Sequence, residues 1–194
     1  MDLSKPVMFL GLGNPEEKYR KTRHQAGYVC LDSICTGWHS DGHRTDADYD
    51  IYIGEISAGT PLYIVYPMTG MNLSGTGLPK LMERYGIEPD NLVVFCDDIN
   101  LPPGTVRVKR SGHDGGHNGL KSVNEAVSGY TVCKVGVGAP KDRSKMLDWV
   151  IGEMSNDEWN TLCKNASMFA DFRRMVYNAA GNVEILMSIY NKSV

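Results

Sequence analysis

No two of the five cysteines stand as C-x-x-C, and the number is odd. A disulfide framework or a thiolate metal knuckle is therefore not indicated, and reduced thiols in a cytoplasm are the simplest expectation. Long apolar runs are missing as well. The start, MDLSKPVMFLGLG, has a short apolar run that glycines end, too short for a signal peptide or a membrane span. There is no excess of positive charge: 20 Lys and Arg against 23 Asp and Glu leave a net charge of -3. That argues only weakly against a nucleic-acid partner, because the clustering of cations decides binding rather than their sum. Repeats, low-complexity tracts and linkers are absent too. A chain of 194 residues, 42% hydrophobic and 22% charged, suits one α/β domain over 1–194 with a full core.

Periodicity places the elements. Val7 to Leu10, between Pro6 and Gly11, reads as a buried first strand. Ala26, Val29, Cys30, Ser33 and Ile34 recur at helical spacing, which predicts a helix from near Thr22 to Gly37. The polar segment WHSDGHRTDADYD reads as a surface loop. IYIGEIS and LYIVYP around AGTP read as a hairpin. LPKLMERYG is a helix, NLVVFC a second buried strand carrying Asp97 and Asp98 at its end, and TVRVKR an alternating strand. The loop SGHDGGHNG leads into a helix over KSVNEAVSG, then a strand over TVCKVGVG. Beyond Pro140 the chain reads as helical, with Ser155 and Glu158 at capping-box spacing. The sum is an α/β fold: a twisted, mostly parallel (mixed) sheet, helices on both faces and a helical C-terminal segment. Ligands of such sheets bind at the carboxyl ends of the strands, where Asn14, Asp97 and Gly138 fall.

Four chemistries compete for the polar loops. A dinucleotide loop would begin at Gly11 and Gly13, but Glu16 replaces the third glycine and repels a pyrophosphate. Zinc on His113 and His117 has the spacing of a helical pair, yet two glycines between them oppose a helix. A thiol site on Cys96 suffers because its neighbour Asp97 faces the other side of the strand. The fourth takes His24 as a general base and Asp97 as the carboxylate that fixes its tautomer. Taken singly, His24 can be a helix-start residue and Asp97 a cap. Asn14, Asn72 and Asn118, each in a glycine- or proline-containing loop, shift the balance: carboxamides can hold a peptide amide and a water without titrating.

The motifs G-L-G-N-P, Y-x-x-T-R-H-x-A-G, M-N-L-S-G, D-x-x-L-P-P-G and G-G-H-N-G-L-K-S occur in this order. Together they resemble bacterial-type peptidyl-tRNA hydrolase from about Val7 to Pro140. The resemblance implies an esterase that cleaves peptide from the 3′ end of tRNA without a metal or cofactor. It implies His24 as the base, Asp97 as its orienting partner, and Asn14, Asn72 and Asn118 as binders of the peptide end and the water. Tyr19 and His117 become neighbours in the same groove, and Arg107, Lys109 and Lys134 face tRNA phosphates. Arg107 and Lys109 are two apart on a strand and share a face, which suits backbone phosphates on its own account. Lys18, Arg20, Lys21 and Arg23 form a second basic run, which is otherwise a solvated face. The expected partner is tRNA, with no membrane, and the chain is expected to act as a cytoplasmic monomer. Against the family pattern, Gln25 replaces an asparagine, Gly70 an aromatic, Asn100 an acid, Asp114 a histidine and Ala139 a bulkier polar residue. The rivals are a non-catalytic RNA-binding relative and a metal hydrolase built on His113 and His117.

Overall fold

The computed structural model describes residues 1–46, 48–57 and 59–191. Seven strands form one sheet in the order β2-β3-β4-β1-β5-β7-β6. The strands are β1 (Val7–Gly11), β2 (Gly42–Thr45), β3 (Tyr49–Ser57), β4 (Thr60–Pro67), β5 (Leu92–Asp98), β6 (Val106–Arg110) and β7 (Thr131–Gly136). β4, β1, β5 and β7 run parallel, and antiparallel pairs close both ends: β2 with β3 and β3 with β4 on one side, β6 with β7 on the other. The sheet is thus mixed, with a parallel centre.

The central strands are apolar on consecutive residues because both of their faces are buried. On β1, Val7 and Phe9 join one core layer while Met8 and Leu10 join the other; on β5, Val93 and Phe95 oppose Leu92, Val94 and Cys96. α1 (Ala26–Cys35), α5 (Asn156–Ala166), α6 (Phe172–Asn178) and α7 (Val183–Tyr190) cover the first face. α2 (Leu78–Tyr85) and α3 (Asn118–Ala126) cover the second. Edge-to-face contacts among Phe9, Phe95, Phe169 and Phe172, at 5.4 to 5.6 Å, knit the first layer. Such pairs add about 0.5–1.5 kcal/mol each beyond their burial. α4 (Met146–Ile151) lies apart, packed on the turn that carries His24.

Two expectations change. Within the polar segment expected as a loop, Gly42–Thr45 forms β2 and pairs with β3. An edge strand needs only backbone partners, and its side chains lie largely in solvent, so no apolar alternation marks it. Ala47, in the same segment, lies outside the described residues. The predicted helix from Thr22 begins instead as a 3-10 turn, Arg23–Gln25, with α1 starting at Ala26. The hairpin of β3 and β4 is present, with Ser57 opposite Thr60; Ala58 of its turn lies outside the described residues. Ser155 and Glu158 form the reciprocal cap of α5. At the far end, the amide of Asn191 takes the place of a neighbouring strand: Val108 N–H donates to its Oδ1 at 2.8 Å and its Nδ2 donates to Val108 O at 2.9 Å.

Candidate active site

The close approach of α1 to the sheet sets the site. At Gly27 a Cβ would stand 2.3 Å from Leu12 N and from Phe95 O, so only glycine lets the helix start against the ends of β1 and β5. The preceding turn then sets His24 over the end of β5, beside its penultimate residue Asp97. From the other side, His117 is the N-cap of α3, and its Nδ1 accepts the Leu120 N–H at 3.2 Å.

The three side chains meet at one oxygen. His24 Nδ1 lies 2.8 Å and His117 Nε2 3.0 Å from Asp97 Oδ1, and the imidazole centroids are 4.8 Å apart. The bonding pattern fixes the tautomers of the neutral rings. Because His117 Nδ1 accepts from Leu120, its proton is on Nε2 and is donated to Asp97. The ionised carboxylate can only accept, so His24 donates from Nδ1 and keeps the lone pair on Nε2. Burial opposes charge on His24, but the attraction and hydrogen bond of Asp97 outweigh it and raise its pKa above the ordinary 6.5. Burial likewise opposes the Asp97 carboxylate, yet the two imidazoles hold its pKa far below the usual carboxylate range. Asp97 is therefore an anion at all ordinary pH, while His24 can give up or take a proton.

His24, Asp97, His117 and Asn118 line one cavity of about 220 Å3, together with Asp98, Lys134 and the α4 residues Met146, Leu147 and Val150. Asn14 is buried and tied in twice. Gln25, next to His24, grips its backbone, with Asn14 N–H donating to Oε1 at 2.6 Å and Nε2 donating to Asn14 O at 2.9 Å. Asn14 Oδ1 in turn accepts the Met71 N–H at 2.9 Å, which anchors the loop bearing Asn72. Asn72 and Asn118 are exposed. Asn14, Asn72 and Tyr19 are not among the residues lining the cavity; Tyr19 is half-buried, with Lys18 Nζ 4.9 Å from the centre of its ring.

The cations divide into open and committed ones. Arg107 and Lys109 are half-buried on the face of β6 opposite the core residues Val106 and Val108. Lys134 is the β7 partner of Arg107, but it is 7% exposed and its Nζ lies 2.8 Å from Asp98 Oδ2. Lys134, expected to face tRNA phosphates, is held in a buried ion pair at the cavity wall. The second basic run is also compensated. Lys18 pairs with Glu16 at 2.6 Å, Arg20 with Glu17 at 3.2 Å and Arg23 with Glu158 at 2.5 Å, while Lys21 bonds Asn156. The exposed pairs are screened by water and release easily, whereas Arg23 is buried. Sequence reading passed over Lys141, Arg143 and Lys145. All three are exposed beside the cavity-lining start of α4, and none has a salt bridge among the described residues. The spacing K-D-R-S-K was the available signal.

The zinc reading on His113 and His117 also changes. Among the described residues, the one group able to bring three ligand atoms together is His24, Asp97 and His117, within 4.8 Å of one another. His113 is exposed and its Nδ1 accepts the Gly115 N–H. In this trio the two N···O separations, 2.8 and 3.0 Å, are those of hydrogen bonds to one carboxylate oxygen. Cys96 lies in the opposite core layer from Asp97, and burial pushes its thiol well above its ordinary pKa.

A histidine pair on a buried carboxylate, at the carboxyl edge of a mixed α/β sheet, defines the class of site. The model of the peptidyl-tRNA hydrolase family matches residues 8–194. The peptidyl-tRNA hydrolase of Bacillus licheniformis is 37% identical over 154 residues, 78% of this chain and 81% of that protein. That of Thermotoga petrophila is 32% identical over 188 residues, 95% of this chain and 97% of that protein. The crystal structure of peptidyl-tRNA hydrolase from Acinetobacter baumannii superposes with a TM-score of 0.80 over 97% of each chain; at 23% identity it shows the shared fold. The chain belongs to the peptidyl-tRNA hydrolase family.

Proposed function

We propose that this chain hydrolyses the ester joining a peptide to the 3′ end of tRNA, with His24 as general base. His24 Nε2 takes a proton from water as the oxygen attacks the ester carbonyl. The imidazolium that forms is stabilised by Asp97, already placed at 2.8 Å from Nδ1. His24 then returns the proton to the departing ribose hydroxyl, freeing peptide and tRNA. Carboxamides of Asn14 and Asn118 hold the peptide end and the water, and His117 keeps Asp97 oriented. The scheme needs no metal. Arg107 and Lys109 meet tRNA phosphates, with Lys134 joining them if phosphate draws it from Asp98. The protein works in the cytoplasm as a monomer; among the described residues no helix is long and apolar enough to cross a membrane.

The observation that carries this reading is the His24–Asp97 pair with a basic nitrogen left towards the cavity. The test is hydrolysis of an N-blocked aminoacyl-tRNA by wild type and His24→Ala, with and without chelator. Turnover by the wild type that survives chelator and is lost in the variant supports it. A wild type that binds tRNA without cleaving it favours the RNA-binding rival, and activity abolished by chelator favours a metal on the same trio.

A further inference from the structure

The residue before the base in the chain closes a corner behind the cavity. Arg23 is only 6% exposed. Its Nη1 donates at 3.0 Å to Trp149 O, one of the last four carbonyls of α4, which the helix itself cannot satisfy. Its Nη2 donates at 2.5 Å to Glu158 Oε1 in the first turn of α5, and its guanidinium carbon lies 3.5 Å from the centre of the Trp149 ring. Glu158 uses its other oxygen to cap α5, accepting from Ser155. One planar cation thus satisfies the negative end of one helix and the acidic start of the next while stacking on an indole. The backbone follows the same seam: Met154 N–H donates to Lys21 O at 2.9 Å, and Thr22 bridges Glu153.

The seam reaches the chemistry through α4, which packs on the 3-10 turn carrying His24. Its residues Met146, Leu147 and Val150 are the apolar wall of the cavity that His24 lines. Maintaining a buried guanidinium for packing alone is unfavourable, since apolar residues fill such corners at no cost in desolvation. We propose that Arg23 is a positioning residue for the hydrolysis described above, an inference that rests on that reading: it pins α4 over the His24 imidazole and so governs how much water reaches the ring.

The charged groups lining the same cavity are Asp97, Asp98, Asp114 and Lys134, with His117 titratable beside them and Arg23 next in the chain. α4 adds only apolar side chains to that lining, so loosening it changes the hydration of His24 rather than the charges facing it. Arg23→Lys keeps the charge but cannot stack and fork at once. In this variant the His24 ring, followed by NMR, is expected to titrate at higher pH, because readmitted water lowers the cost of charging it. The Trp149 indole signal is expected to move with it. With an N-blocked aminoacyl-tRNA, kcat/KM is expected to fall roughly ten- to hundredfold, chiefly in kcat, as for a misplaced reacting group. A folded Arg23→Lys protein with the wild-type His24 titration and kcat/KM would overturn the proposal. Should that variant not fold, Glu158→Gln keeps the Ser155 cap and removes the ion pair. The same shifts, smaller, are then expected, and an unchanged His24 titration is decisive against the idea. A wild type without hydrolase activity sinks the functional reading alone, because the His24 titration needs no substrate.

Discussion

The imidazoles of His24 and His117 stand 4.8 Å apart and share a single carboxylate oxygen, yet they face it with different ring nitrogens. The asymmetry assigns their tasks. His117 uses both nitrogens internally, one on Leu120 and one on Asp97, while His24 keeps Nε2. His24→Ala is therefore expected to lose about 10²–10⁴-fold in kcat, the usual worth of a positioned base. His117→Ala is expected to lose less, since the base survives. Equal losses in single-turnover hydrolysis would contradict this division.

The raised pKa of His24 predicts the pH dependence. The base works when neutral, so kcat/KM is expected to rise with pH, with its acid limb above about 6.5, the unperturbed value. Asp97→Asn removes the attraction that holds the proton and is expected to move the limb down while lowering the plateau. The stability signs follow from the same pair. Asp97, depressed when folded, contributes stability above the ordinary carboxylate pKa and loses it as pH falls through its folded value. His24, raised when folded, contributes below its unfolded pKa and loses it as pH rises through its folded value. A pH–rate profile of Asp97→Asn with an unmoved limb would dissociate the two groups.

Gln25 is expected to act on binding more than on chemistry. Gln25→Leu removes both bonds to the Asn14 backbone and loosens the loops of Asn14 and Met71 together. KM is expected to rise several-fold with kcat less affected, the pattern of lost uniform binding. Gln25→Asn restores the family's usual carboxamide one methylene shorter and is expected to fall between the two. A Gln25→Leu enzyme with the wild-type KM would separate the clamp from the groove.

Gly27→Ala puts a methyl group where Leu12 N and Phe95 O stand at 2.3 Å. Backbone cannot yield as a flexible side chain can, so a loss of about 1–3 kcal/mol or more is expected, as for overpacking. Thermal or urea unfolding reads it directly, and a variant of unchanged Tm would show that α1 can shift freely.

Arg107→Gln and Lys109→Gln are each expected to flatten the slope of log K against log salt for tRNA by about one unit. Lys134→Gln is expected to change it less, because its charge is already spent on Asp98. Identical slopes for all three would show that tRNA breaks the Lys134–Asp98 pair.

Much of this was legible in the sequence because local physics and tertiary structure agreed. The consecutive apolar residues of β1 and β5 announce strands covered on both faces, and Ser155 with Glu158 announces the start of α5. Sequence order also placed Asn14 and Asp97 at strand ends, while the pairing of His24 with Asp97 was one of four readings until the motifs' resemblance favoured it. What could not be read depended on partners far along the chain. β2 is polar because it lies at an edge, so its pairing leaves no pattern. Lys134 looks like any strand lysine until Asp98 is found beside it. Arg23 sits in a basic run and differs from its neighbours in being buried against Trp149 and Glu158, 126 and 135 positions away. The two bonds of His117 likewise need α3 to be set against β5 before either has meaning.

One consequence concerns the outer margin of the sheet rather than the cavity. β6 presents the cations proposed for tRNA on its face, while Asn191 occupies the hydrogen-bonding positions of Val108 along its rim. A rim capped by a carboxamide offers no template at that point for a foreign strand. At Val108, therefore, the margin that carries Arg107 and Lys109 is closed to the addition of another strand.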